Sequence, residues 1–307
     1  MSLFKCLLLA GLISQTLLAA HGEARCPGNA PSLTLRLVRG SQIIMPVQIN
    51  HSGPYDFVVD TGAQTSTIEP SLAAELRLKP QGQTGVAGVA TFARITYVYL
   101  DLVEAGAHSV SNSVAVIQEM NQLKAADSPI RGILGASFLE HFDLLIDYGR
   151  SLLCLDESGL LASAVKGEHI ALAEPRGAQK DLPFTRPIIV SARLSGFAPT
   201  PVLLRLDSGS NAPVLYSVDP RVLEAFPVSS TLLKRVINGV EQTFAELPPQ
   251  DIQIGKRWVR HVPFVIPKNS VGGGPITRED GLLPTIAFER VFISCSAGYV
   301  TLEPREQ

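Results

Sequence analysis

Short runs of alternating apolar and polar residues, separated by Gly and Pro, dominate the chain from about residue 40 onward. Met45-Pro-Val-Gln-Ile-Asn50 alternates, His51-Ser-Gly-Pro54 reads as a turn, and Tyr55 to Val59 resumes as a strand. In the second half Ile188 to Leu194 reads as a strand, Ser195-Gly196 as a turn, and Val202 to Leu206 as the next strand. A period of two with turn residues between runs is the signature of paired, half-buried strands. Glu69-Pro-Ser-Leu-Ala-Ala-Glu-Leu76 departs from that period and predicts a short helix with Pro at its start. Residues 158–183 carry a mixed pattern and read as a linker with at most one short helix. The pattern predicts an all-β protein with few short helices and two domains, 33–157 and 184–305.

The two halves repeat each other. Phe57-Val-Val-Asp60-Thr-Gly-Ala63 and Leu204-Arg-Leu-Asp207-Ser-Gly-Ser210 each run an apolar strand into Asp-Thr/Ser-Gly, and Asp207 follows Asp60 by 147 residues (207 − 60). Gly132-Ile-Leu-Gly135 finds a partner in Gly281-Leu-Leu-Pro284, 149 residues later (281 − 132). Two motifs repeating in one order at nearly one offset mark an internal duplication.

Composition narrows the class. The chain has 307 residues, 46% hydrophobic and 18% charged, enough apolar material for two cores and too little charge for a disordered chain. The net charge of −2 comes without a basic block, which argues against nucleic acid as a partner. Lys5, the apolar run Cys6 to Ala20, and the small residues Ala19, Ala20, Gly22 and Ala24 read as a signal peptide over residues 1–24. The run falls short of the roughly 20 residues that span a bilayer, so no stable membrane span is expected after removal. The expected location is therefore periplasmic or secreted. Cys26, Cys154 and Cys295 would remain; one disulfide plus a free thiol, and three unpaired buried thiols, both fit the count.

The chemistry lies in the two Asp loops. Alone, Asp-Thr-Gly is an ordinary turn composition. Twice, at the ends of matching strands, it predicts two carboxylates brought to one cleft. Carboxylates about 3 Å apart cannot both ionise easily and share one proton, so one serves as general base on water while the other donates. Gly62 and Gly209 would let the loops approach closely, and Thr61 and Ser208 supply hydroxyls to bond across the junction. Ala63 faces Ser210 in the repeat, so only Asp207 has a neighbouring hydroxyl; a bond from Ser210 would make Asp207 the more readily ionised carboxyl.

On these residues the chain resembles the pepsin/retropepsin superfamily of aspartic peptidases, and is most similar to bacterial proteins carrying two retropepsin-like domains. The resemblance rests on Val58-Val-Asp-Thr-Gly-Ala63, Leu206-Asp-Ser-Gly-Ser210, Ile130-Arg-Gly-Ile-Leu-Gly135 and Asp280-Gly-Leu-Leu-Pro284. It implies two similar β-barrel lobes related by a pseudo-twofold axis, and an aspartic endopeptidase with Asp60 and Asp207 as catalytic residues. It implies a peptide or protein substrate and neither metal nor organic cofactor. It also implies β-hairpin flaps, for which Gly85 and Gly88 in the first half and Asn238-Gly239 in the second are the candidates. A single chain already supplies both carboxylates, which favours a monomer.

Other classes fit less well. His-Glu-x-x-His and Cys-x-x-Cys are absent, leaving a zinc site without support, and Gly-x-Ser-x-Gly is absent too. A glycosidase would want its carboxyls about 5 Å or more apart and aromatic platforms, against one Trp here. The alternative that remains is a non-catalytic peptide-binding module on the same fold. Pro284, standing where the first half has Gly135, marks a place where the second half should differ.

Overall fold

The computed structural model describes residues 25–38, 40–88, 91–120, 129–174, 187–195, 201–216, 232–237, 240–267 and 279–305. The expected signal peptide and the Asn238-Gly239 flap candidate lie outside these. The protein is all-β with two lobes, three short α-helices and two single 3-10 turns among the described residues.

The first lobe is an eight-stranded sheet built from β2 (Arg36–Val38), β3 (Gln42–Ile49), β4 (Ser52–Val59), β5 (Ser66–Ile68), β6 (Gly82–Gly88), β7 (Thr91–Ala105), β8 (His108–Ile117) and β9 (Ile130–Leu134). Their order is β2-β3-β4-β9-β5-β8-β7-β6, and the far end of β7 returns to pair with β3, Val47 opposite Ala105, curling the sheet toward a barrel. Two helices belong to this lobe: α1 (Pro70–Glu75), with Pro at its start as the pattern predicts, and α2 (Ala136–Leu139). The β3–β4 hairpin turns one step earlier than the pattern suggests. Ile49 pairs with Ser52, and Asn50 and His51 form the turn with φ of 50° and 64°. A type I′ two-residue hairpin needs both turn residues left-handed, and Asn and His are among the residues that tolerate this.

The second lobe repeats the plan with β13 (Ile189–Leu194), β14 (Val202–Asp207), β15 (Val214–Leu215), β16 (Leu232–Ile237), β17 (Val240–Glu246), β18 (Gln250–Ile254), β19 (Arg257–Val262), β20 (Val265–Pro267) and β21 (Gly281–Pro284). Their order is β16-β17-β20-β15-β21-β14-β13-β18-β19. Here the long strand β7 has become two, β17 and β18, separated by Leu247-Pro248-Pro249, and β8 has become β19 and β20, separated at Pro263. Proline has no N–H to give to a ladder, so the strands stop where it stands.

A third sheet joins the lobes. It is made of β1 (Ser32–Thr34), β10 (Asp143–Asp147), β11 (Leu152–Asp156), β12 (Ile170–Ala171), β22 (Phe288–Ser294) and β23 (Tyr299–Pro304), in the order β1-β11-β10-β22-β23-β12. The pseudo-twofold passes between β10 and β22, which pair antiparallel with Leu144 opposite Ile293. The segment read as a linker contributes here: α3 (Leu160–Ala164) is its one helix among the described residues, and β12 pairs with β23. Cys26 and Cys154 form a disulfide that fastens the N-terminal segment beside this sheet, and Cys295 is free. One continuous apolar core runs through both lobes, from Ile43, Phe57 and Phe138 to Leu204, Phe264 and Phe288.

Candidate active site

In each lobe a parallel strand pair delivers the Asp loop. β4 lies parallel to β9, and Asp60, one residue past β4, donates its backbone N–H to the Leu134 carbonyl at 3.0 Å. β14 lies parallel to β21 with Asp207 opposite Pro284. Parallel strands must be linked by a long crossover, which is why the Ile-Leu-Gly and Leu-Leu-Pro motifs sit more than 70 residues after their Asp and still flank it.

The two loops meet at the pseudo-twofold and interlock. The Thr61 N–H donates to the Ser208 hydroxyl, and the Ser208 N–H donates to the Thr61 hydroxyl, each at 3.1 Å. Both hydroxyls then donate across the junction, Thr61 Oγ1 to the Leu206 carbonyl at 2.9 Å and Ser208 Oγ to the Val59 carbonyl at 2.8 Å. All four bonds are buried, where an unpaired polar atom is expensive, so each bond holds the other lobe in place.

The carboxyls are gripped alike. Asp60 Oδ1 accepts from the N–H groups of Gly62 and Ala63 at 2.8 and 3.0 Å; Asp207 Oδ1 accepts from Gly209 and Ser210 at 2.8 and 2.9 Å. Each carboxyl feels the other, and a hydrogen bond between them would require one to carry a proton. The glycines are needed for the approach. A Cβ on Gly62 would lie 2.5 Å from Asp207 Cγ, and one on Gly209 would lie 2.5 Å from Asp60 Cγ.

Burial raises the pKa of both carboxyls, since a low-dielectric site disfavours their charge. At Asp207 burial and then the Asp60 charge raise it, while Arg205 and the amides of Gly209 and Ser210 pull it back. The hydroxyl that the sequence offers to Asp207 does not reach it. Ser210 turns its hydroxyl away to the Ala212 carbonyl at 2.9 Å, leaving only its backbone N–H on Asp207. Ala63 and Ser210 therefore act identically.

The remaining candidates separate. Gly85 and Gly88 lie on the β6–β7 hairpin, Gly85 opposite Arg94 and Gly88 opposite Thr91. Tyr97 meets Tyr99 edge-on at 6.0 Å further along the same hairpin. The Asn238-Gly239 candidate lies outside the described residues. Pro284 begins a different continuation from Gly135. The Gly135 N–H donates to Ser66 Oγ at 3.1 Å and α2 follows; Pro284 has no N–H, and the single turn Thr285–Ala287 follows, with Thr285 Oγ1 bonded to Tyr148 Oη at 2.7 Å.

Sequence reading missed Arg205, Glu279 and Tyr216. Arg205 Nη1 donates to the Gly62 carbonyl at 2.8 Å, and its Nη2 lies 2.8 Å from Glu279 Oε1. Tyr216 is buried nearby, its pKa pushed up by burial and by Glu279. The signal was there: Arg205 is a charge in an apolar strand, two residues from Asp207 and hence on its face. Among the described residues no three His, Cys, Asp or Glu side chains gather as a metal site requires, and no helix is long and apolar enough to cross a membrane.

A model of the aspartyl protease family matches residues 45–138, taking in the first Asp loop. The family likeness therefore rests on the first lobe. Among solved structures it is similar to a retropepsin-like aspartic protease from Rickettsia conorii, 20% identical over 41% of this chain and 90% of that one, with a TM-score of 0.30. No curated protein matches it in sequence. The second Asp loop lies in the lobe beyond the matched segment.

Proposed function

We propose that the protein is an aspartic endopeptidase in which Asp60 and Asp207 share one proton and hydrolyse a peptide bond without a covalent intermediate. The observation that carries this reading is the meeting of two carboxyls, Asp60 half-buried and Asp207 buried, each held by two backbone amides on interlocked loops. The ionised carboxyl takes a proton from water as the water oxygen attacks the peptide carbonyl carbon, and the protonated one gives its proton to the carbonyl oxygen. Collapse of the resulting gem-diol breaks the C–N bond, and a proton passes from the dyad to the leaving nitrogen. Both lobes come from one chain, which supports a monomer as the working unit.

Burial of the pair sets the direction of the pH dependence. Activity requires one proton on the dyad, so it fails at low pH when a second proton binds and at high pH when the shared one leaves. Raised pKa values carry the alkaline limb above the ordinary carboxylate range. The Cys26–Cys154 disulfide supports the exported location that the N-terminal segment suggests, since disulfides persist in oxidising compartments.

The test is cleavage of a mixed peptide library across pH 3–8 by the purified protein beside Asp60→Asn and Asp207→Asn. Cleavage that falls by about 100-fold or more in both variants supports the dyad. A folded protein that binds peptides and cuts none at any pH overturns the endopeptidase reading in favour of a peptide-binding module.

A further inference from the structure

The duplication places Arg205 at the position of Val58, and Glu279 at the position of Ile130. In the first lobe Val58 and Ile130 pack together in a small apolar cluster with Ile44 and Met120. In the second lobe the same two positions hold an ion pair whose side chains are 14% and 7% exposed. Arg205 Nε and Glu279 Oε2 are buried without a hydrogen-bond partner. A buried pair with unmet hydrogen bonds is a poor way to stabilise a lobe, and apolar residues of similar size commonly do as well or better. What the pair does that Val58 and Ile130 do not is reach across the pseudo-twofold, where Arg205 Nη1 holds the Gly62 carbonyl. Gly62 is the residue whose own N–H grips Asp60 Oδ1.

We propose that Arg205, oriented by Glu279, is a positioning residue that clamps the first lobe's catalytic loop from the second lobe and gives the symmetric dyad an asymmetric electrostatic environment. This rests on the endopeptidase reading above. A planar guanidinium suits the task because its fork serves the carbonyl and the carboxylate at once, which a Lys ammonium on a flexible stem does less well. The ionisable groups around the pair are few. Arg205 acts on both carboxyls and favours their charged forms, Glu279 faces Arg205 and Tyr216, and Tyr148 and Tyr216 feel the Asp207 charge. Arg305 lies over the Tyr148 ring at 5.8 Å.

The experiment compares the full-length wild type with Arg205→Lys, Arg205→Met and the double variant Arg205→Val/Glu279→Ile, which copies the first lobe's apolar pair and removes both buried charges together. Cleavage is followed against pH, and the Asp carboxyls are titrated by ¹³C NMR. Arg205→Met should move the acid limb and the lower carboxyl pKa upward by about one pH unit. The double variant should fold at least as stably yet lose about 10- to 100-fold in kcat with KM little changed. Arg205→Lys should restore the acid limb and only part of kcat. Wild-type kcat and an unmoved acid limb in the double variant would overturn the proposal, as would a carboxyl titration unchanged by Arg205→Met. If the wild type cuts nothing, the endopeptidase reading fails by itself, while the NMR titration still decides whether Arg205 sets the charge of the pair.

Discussion

At the Asp loops the two lobes are near-copies; immediately behind them they are not. Thr61 and Ser208 exchange the same four hydrogen bonds, and each carboxyl accepts from the same two amides at distances within 0.1 Å of its counterpart. Behind its loop the first lobe builds a hydroxyl network, with Ser66 Oγ accepting from Gly135 N–H and Ser137 Oγ at 3.1 and 3.0 Å, and Ser113 Oγ donating to the Ser137 carbonyl at 3.2 Å. The duplication puts Pro213, Pro284, Ile286 and Val262 at those positions. In the second lobe the four residues line an open cleft of about 510 Å³ with Trp258 and Arg305. Apart from the Arg205 bond to Gly62, symmetry is kept where the two loops touch each other and abandoned where each touches only its own lobe. Contacts across a twofold constrain both partners together, whereas a supporting loop can change its chemistry so long as its buried polar groups stay matched.

The largest expected effect tests the symmetric region. Gly62→Ala and Gly209→Ala each place a methyl 2.5 Å from the opposite carboxyl carbon, so each should lower cleavage by at least about 100-fold. Equal losses in the two variants sharpen the comparison; a tolerated alanine in one loop breaks it. Thr61→Val and Ser208→Ala come next. Each removes a buried donor and a buried acceptor and strands two backbone groups, for about 2–4 kcal/mol in denaturant unfolding. Costs differing by more than about 1 kcal/mol would mean that the interlock is shared unequally.

A smaller effect concerns charge. The dyad's pKa values are raised in the folded protein, so its contribution to stability is fully present below the unfolded Asp value near 4 and is lost as pH rises toward the folded values. Asp207→Asn removes that loss. Its stability relative to wild type should grow from about pH 4 upward, by about 1.4 kcal/mol for each pH unit that separates the folded from the unfolded pKa. A difference that stays flat with pH would mean that the pair is not held under electrostatic strain.

The symmetric features are legible in the sequence because they sit in short motifs: Asp-Thr-Gly and Asp-Ser-Gly, their glycines, and the downstream glycine repeat all stand out at one offset. The asymmetric features are not. Arg205 and Glu279 are 74 residues apart (279 − 205) and meet only because β14 and β21 lie side by side. The Ser66, Ser113 and Ser137 network likewise joins a strand, a second strand and a helix that no local pattern links. The orientation of Ser210 escapes the sequence for the same reason: proximity along the chain to Asp207 says nothing of where the hydroxyl turns, and the Ala212 carbonyl takes it. Residues 158–183 look like a connector because β12 is only two residues long, too short to show a period.

The smallest effect bears most directly on the asymmetric region. If Pro213 and Pro284 are a matched replacement for the Ser66–Gly135 bond, neither should be exchangeable alone. Pro284→Gly creates a backbone N–H with no serine to receive it and loosens the unfolded chain, at a cost of about 1 kcal/mol. Pro213→Ser supplies an acceptor with no donor and should cost a similar amount. Together the two changes rebuild the first lobe's arrangement, so the double variant should recover at least about 0.5 kcal/mol relative to the sum of the single costs, which is the size of coupling expected for residues in direct contact. Additive costs would show that the prolines serve the cleft beside them independently, and that the two lobes diverged there for separate reasons.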